Sequence, residues 1–202
     1  MKYRISLLMV LAFSICGPAS AQKTFNDSLA LSRNRITQKA MITLGTWSVL
    51  NIASGFIIAG QTHGEAHYAW QMNAYWNFIN LGLSAAALLQ GRHSMGQPAT
   101  LDGNVNAQEA IGKLYAVNFG LDVAYMIGGF YLRERGNRET IDSHRDRFKG
   151  YGTSLVVQGA FLFFMDGIML HIHHQNSLRL QKHLRELEIS SGPNGLGVLY
   201  HF

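Results

Sequence analysis

The chain has 202 residues, a formal net charge of +5 and a pI near 9.5. Its length fits one domain, and its 48% hydrophobic content and mean hydropathy of +0.03 are those of an ordinary soluble protein. The basic residues lie in flanks and loops, which excludes nucleic acid as the expected partner and suits lipid headgroups instead. The only cysteine, Cys16, stands near the start, so the rest of the chain has neither a disulfide nor a cysteine metal ligand.

The average composition hides a sharp segregation. Residues 40–64 and 66–91 contain no Asp, Glu, Lys or Arg, residues 114–132 contain only Asp122, and residues 150–172 only Asp166. About 20 largely apolar helical residues cross a bilayer core of about 30 Å. The expected fold is therefore all-α: a four-helix transmembrane bundle after a cleaved signal peptide. A soluble helical bundle is the alternative, but soluble helices normally carry a charged face.

In chain order, residues 1–21 have the parts of a secretory signal: Lys2 and Arg4, an apolar stretch over 5–15, and Ala19-Ser20-Ala21 as cleavage site. An uncleaved leader would add a fifth helix. A lipoprotein reading of Cys16 is disfavoured by the bulky Ile15 before it. Residues 22–39 form a polar N-terminal segment in which Asn26, Asp27 or Ser28 would cap a short helix. The membrane domain is expected over residues 40–172, with spans near 40–60, 74–90, 113–132 and 152–171. Loops are expected at 91–106, marked by Gly96-Gln97-Pro98 and Asp102-Gly103, and at 133–149. Residues 173–202 read as a polar helix to about Ile189 and a short extended tail.

A signal peptide places Gln22 outside, so four spans put the 133–149 loop in the cytoplasm and both mature termini outside it. That loop carries Arg133, Arg135, Arg138, Arg145, Arg147 and Lys149, as the positive-inside rule requires, although the basic outer tails oppose the rule. The expected location is the bacterial inner membrane, with the lipid bilayer as partner and a second copy or another membrane protein as a further one. Tyr68, Trp70, Tyr75 and Trp76 are expected at the inner interface.

Polar side chains inside the spans carry the functional expectation, because an unpaired one in hydrocarbon costs several kcal/mol. Tyr115, Asn118, Asp122 and Tyr125 share one helix face by their spacing. Asn51 with Trp47, Asn80 with Asn77, and Gln158 with Asp166 supply the other spans. At 1.5 Å per residue, Asp122 lies about 13 Å below the outer end of its span, Asp166 about 8 Å, and Asn51 and Asn80 about 15 Å. The candidate binding core is thus Asn51, Asn80, Asn118, Asp122, Tyr125, Gln158 and Asp166. Its bland counterpart is helix-to-helix bonding worth about 1 kcal/mol per contact.

Histidines give a second, weaker candidate. His93, His171, His173 and His174 all end spans on the outer side, and imidazole suits a divalent metal. His63-Gly64-Glu65-Ala66-His67, placed in an inner loop, lacks the order of a zinc-protease motif. No cofactor is expected otherwise. A nucleophile elbow, a phosphate loop and a dinucleotide fingerprint are all missing from the sequence, which argues against an enzyme built on them.

The runs Met72-Asn73-Ala74-Tyr75-Trp76-Asn77-Phe78-Ile79-Asn80-Leu81 and Asn118-Phe119-Gly120-Leu121-Asp122-Val123-Ala124-Tyr125, with Gln158-Gly159-Ala160-Phe161-Leu162 leading to Asp166, resemble an uncharacterised bacterial family of four-helix integral membrane proteins, a domain of unknown function. The likeness covers roughly residues 30–172 and implies the same helices, but it carries no activity. The sequence thus leads to a membrane protein that binds or translocates a proton, a cation or a small polar solute. A scaffold with a purely structural polar core and a histidine-based metal protein are the alternatives.

Overall fold

The computed structural model of the chain describes the backbone of residues 2–94, 99–192 and 195–200, and the side chains of residues 25–94 and 99–182. The expected leader over residues 1–21 and its cleavage after Ala21 lie outside the described side chains. Among the described residues there are four helices: α1 (Lys2–Ala59), α2 (Gly64–Ser94), α3 (Leu101–Asn137) and α4 (Asp142–Glu186). A two-stranded antiparallel hairpin follows, β1 (Leu187–Gly192) and β2 (Gly195–Tyr200), in register from Leu187↔Tyr200 to Gly192↔Gly195.

The helices are longer than the apolar spans inside them, and this corrects several sequence expectations. Residues 22–39 continue α1 without a break. The 91–106 loop shrinks, because α2 runs to Ser94 and α3 starts at Leu101. Asp102-Gly103, which reads as a turn, is the first turn of α3: the Gly103 N–H donates to Thr100 Oγ1 at 3.1 Å, and Asp102 complements the helix N-terminus. The 133–149 loop likewise shrinks to the link between Asn137 and Asp142. Glu65 and His67 belong to α2, where His67 Nδ1 meets the Ala59 carbonyl at 2.8 Å across the α1–α2 turn. Gly64, at φ +61°, lets the chain reverse there, since a side chain at that φ is strained. The polar end of α4 stops at Glu186, and the tail pairs into the hairpin.

By length and composition, two segments, Phe25–Ala59 and Asp142–Lys182, are long and apolar enough to cross a membrane. Burial runs opposite to that of a water-soluble bundle. Among the described residues, buried polar side chains outnumber buried apolar ones, while Ile57, Ile127 and Phe164 stand 61–69% exposed on the outside of the helices. The apolar core is correspondingly small, centred on Ala40, Tyr115 and Met169.

α1 packs on α2, α2 on α4, and α3 on α4, whereas α2 and α3 scarcely touch among the described residues. The α3–α4 crossing rests on glycine. A Cβ at Gly129 would come within 2.7 Å of the Gly152 carbonyl oxygen, and one at Gly152 within 2.5 Å of that of Gly129. At the end of the bundle expected to face inward, Glu65 accepts from Arg133 at 2.9 Å and pairs with Lys149 at 3.5 Å, while Thr153 bonds both Glu65 and Arg133. This cluster ties α2, α3 and α4 together.

Candidate functional site

The polar residues inside the bundle sort into two groups. The first is centred on Gln158 of α4. Its Oε1 accepts from Trp47 Nε1 at 3.1 Å, and its Nε2 donates to Asn51 Oδ1 at 3.4 Å and Asn73 Oδ1 at 3.2 Å. Ser154 Oγ donates to the same Asn73 oxygen at 2.6 Å, and Asn51 Nδ2 donates back to the Trp47 carbonyl at 2.9 Å. Trp47 stacks on Phe161 at 3.9 Å. This network joins α1, α2 and α4, and Gln158 is fully buried within it with its amide engaged at both ends. A satisfied buried network of this kind fixes helix register.

The second group lines a cavity of about 710 Å3 in the gap left between α2 and α3. Asn80, Asn118, Asp122, Tyr125 and Asp166 all face it, so five of the seven candidate core residues come together, while Asn51 and Gln158 do not reach it. Asp122 and Asp166 are 2% and 5% exposed, and they lie close enough for the charge of one to act on the other. Asp122 Oδ2 is buried without a hydrogen-bond partner among the described residues. Among the described residues, no Lys or Arg lies at this end of the cavity; Arg33, a cationic side chain of its wall, lies at the other end and donates to Asn104 Oδ1 at 2.9 Å.

Two further residues of the cavity, Trp76 and Arg33, stand outside the expected binding core. Trp76, expected at the inner interface, instead faces the cavity edge-to-face with Tyr125, ring centroids 4.8 Å apart, and its buried Nε1–H has no acceptor. Its spacing from Asn73 and Asn80 on α2 places it on the same face and carried that signal. Arg33 lay in a segment that sequence composition sets apart from the bundle, and nothing local marks it.

The four histidines do not converge. His93, His171 and His174 are exposed, whereas His173 is fully buried and stacked on Tyr115 at 5.4 Å. Among the described residues, no three His, Cys, Asp or Glu side chains gather as a metal ion would require. His173 belongs instead to the packing of α4 against the first half of α3, where its carbonyl accepts from Gln108 Nε2 at 2.7 Å. Burial, and secondarily the charge of Arg33, pushes its imidazole down to about 4.

Residues 43–167, more than half of the chain, match a family of unknown function (DUF6992). The chain belongs to this family. The DUF6992 segment takes in both polar groups, from Trp47 to Asp166, and leaves out Arg33 and His173. No curated protein and no solved structure matches the chain.

Proposed function

We propose that the chain is a four-span protein of the bacterial inner membrane that binds a cation or a proton at Asp122 and Asp166, reached from the outer side. The observation that carries this reading is the pair of carboxyls facing one cavity, with Asp122 Oδ2 buried and unpartnered. Two such groups in one low-dielectric site do not both stay bare anions; a shared proton or a bound cation neutralises them. The spanning arrangement is supported by the exposed apolar belt around a polar interior, since lipid reverses the usual preference for the surface. The orientation is supported by Arg133, Arg135, Arg138, Arg145, Arg147 and Lys149 at one end of the bundle. Lipid is then the solvent of the outer surface, and a second copy or another membrane protein its further partner.

The scaffold reading draws on the Gln158 network, which is saturated and accounts for Asn51, Asn73 and Ser154 without any ligand. It leaves the unpartnered Asp122 oxygen and the cavity without a purpose. The test is thermal melting of the detergent-purified protein against pH and against sodium, potassium, magnesium and calcium. A cation or pH response that disappears in Asp122→Asn and in Asp166→Asn is the expected result. A melting point indifferent to all of these ions and to pH, in a folded wild type, would leave the scaffold as the better account.

A further inference from the structure

The cavity is far larger than a bare cation needs. About 710 Å3 lies within the range of roughly 300–1,000 Å3 that holds drug-sized molecules. Its lining runs from Trp76 to Ser94 along α2 and from Ala107 to Tyr125 along α3, about 27 Å at 1.5 Å per residue. Apolar residues of all four helices line it, Leu44 and Leu162 buried and Ile79, Leu83 and Leu114 more than half exposed along its open side. The acidic groups lie at one end, Asp122 one helical turn from Tyr125, whose ring meets that of Trp76 edge-to-face, while Arg33, Asn34 and Ser94 line the other end. Aromatic faces next to carboxylates attract an organic ammonium by charge and by the ring quadrupole. The groove also has a side entrance, since α2 and α3 scarcely touch.

We infer that the cavity takes a lipophilic organic cation: an amine whose ammonium group meets Asp122 and Asp166 and whose apolar body lies along the α2–α3 groove. This rests on the proposed cation site and names its occupant. The ammonium is a donor for the Asp122 carboxyl, whose buried Oδ2 has no partner among the described residues. The apolar body packs along a wall that no small hydrated ion would cover. A neutral apolar molecule leaves the carboxyls unanswered, and an acyl chain with its anionic head at Arg33 would end against two acids. Entry from the bilayer suits a compound that already partitions there.

Three compounds sharing one hydrocarbon cage test the inference: adamantylamine, adamantanol and adamantane carboxylate, titrated against the melting temperature of the detergent-purified full chain. The amine is expected to bind at least about tenfold tighter than the alcohol, which corresponds to one charge-assisted contact. Asp122→Asn and Asp166→Asn are each expected to reduce it to the affinity of the alcohol. Ala87→Phe, which narrows the groove without touching the acids, is expected to weaken the amine and spare the response to inorganic cations and pH. An alcohol that binds as well as the amine, or a carboxylate that binds better, overturns the inference while the ion response keeps the cation site standing. Loss of every response, ionic and organic, removes both. Should the Asp variants fail to fold, an unchanged amine affinity in Ala87→Phe overturns the inference alone.

Discussion

Asp122 and Gln158 are both buried polar residues of one bundle, yet their surroundings assign them different work. Gln158 is bonded to Trp47, Asn51 and Asn73, so replacing it takes the partner from Trp47 Nε1 and Asn51 Oδ1 on α1, while Asn73 Oδ1 keeps Ser154. Gln158→Leu should lower stability by about 1–3 kcal/mol, the cost of leaving buried groups unpaired, and should leave any ion response unchanged. Asp122→Asn should do the reverse, because one Asp122 oxygen has no bond to lose. Melting curves of the two variants, with and without cation, separate the roles. His173 gives a third residue-scale prediction. Its imidazole titrates near 6.5 when unfolded and is pushed down to about 4 when folded, so the unfolded chain binds the proton first. Stability from the neutral ring is fully present above the unfolded value and is lost as pH falls from 6.5 toward about 4. His173→Phe keeps an aromatic ring over Tyr115 and should flatten the melting temperature across that window. An acid-side slope identical to the wild type would mean that other groups carry it.

At the scale of the elements, the α3–α4 pair depends on close backbone approach at Gly129 and Gly152. Gly152→Val should destabilise the protein by about 1–3 kcal/mol or more through overpacking, because the obstructing atom is backbone and cannot swing aside. Gly120 has no neighbouring atom within 4 Å of an added Cβ, so Gly120→Ala should fold as the wild type does. Denaturation in detergent compares the two. The contrast also marks what the sequence conveys. Charge-free stretches and the three-and-four spacing of Asn118, Asp122 and Tyr125 set the helices and their inward faces, because both are local properties. Helix ends were less legible. Charged residues beyond the apolar stretches, such as Arg133 and Lys149, read as loop, yet they extend α3 and α4 through pairing with Glu65, which is distant in sequence. The separation of one polar belt into a network and a cavity follows from α2 and α3 standing apart, a matter of packing that no single helix encodes.

For the whole molecule, the reading of a bundle with polar interior, lipid-facing apolar belt and an outer entrance makes demands on topology. Intact mass of the purified protein should lack residues 1–21, leaving Gln22 first. In a Cys16→Ser background, Asn106→Cys should label with a membrane-impermeant thiol reagent from outside, and Asn137→Cys should not; both sites are exposed in the fold. Labelling of Asn137→Cys in intact cells would reverse the orientation. The proposed site makes a narrower demand: a cation reaches Asp122 and Asp166 from the outer side. A cysteine in place of Asn118, one helical turn above Asp122 on the cavity wall, tests it most directly. Its rate of reaction in intact cells is measured with small cationic and small anionic methanethiosulfonate reagents of matched size. Faster reaction with the cation is expected, and loss of that preference when Asp122→Asn and Asp166→Asn are added. Equal rates for both reagents, or no reaction while Asn106→Cys still labels, would contradict it.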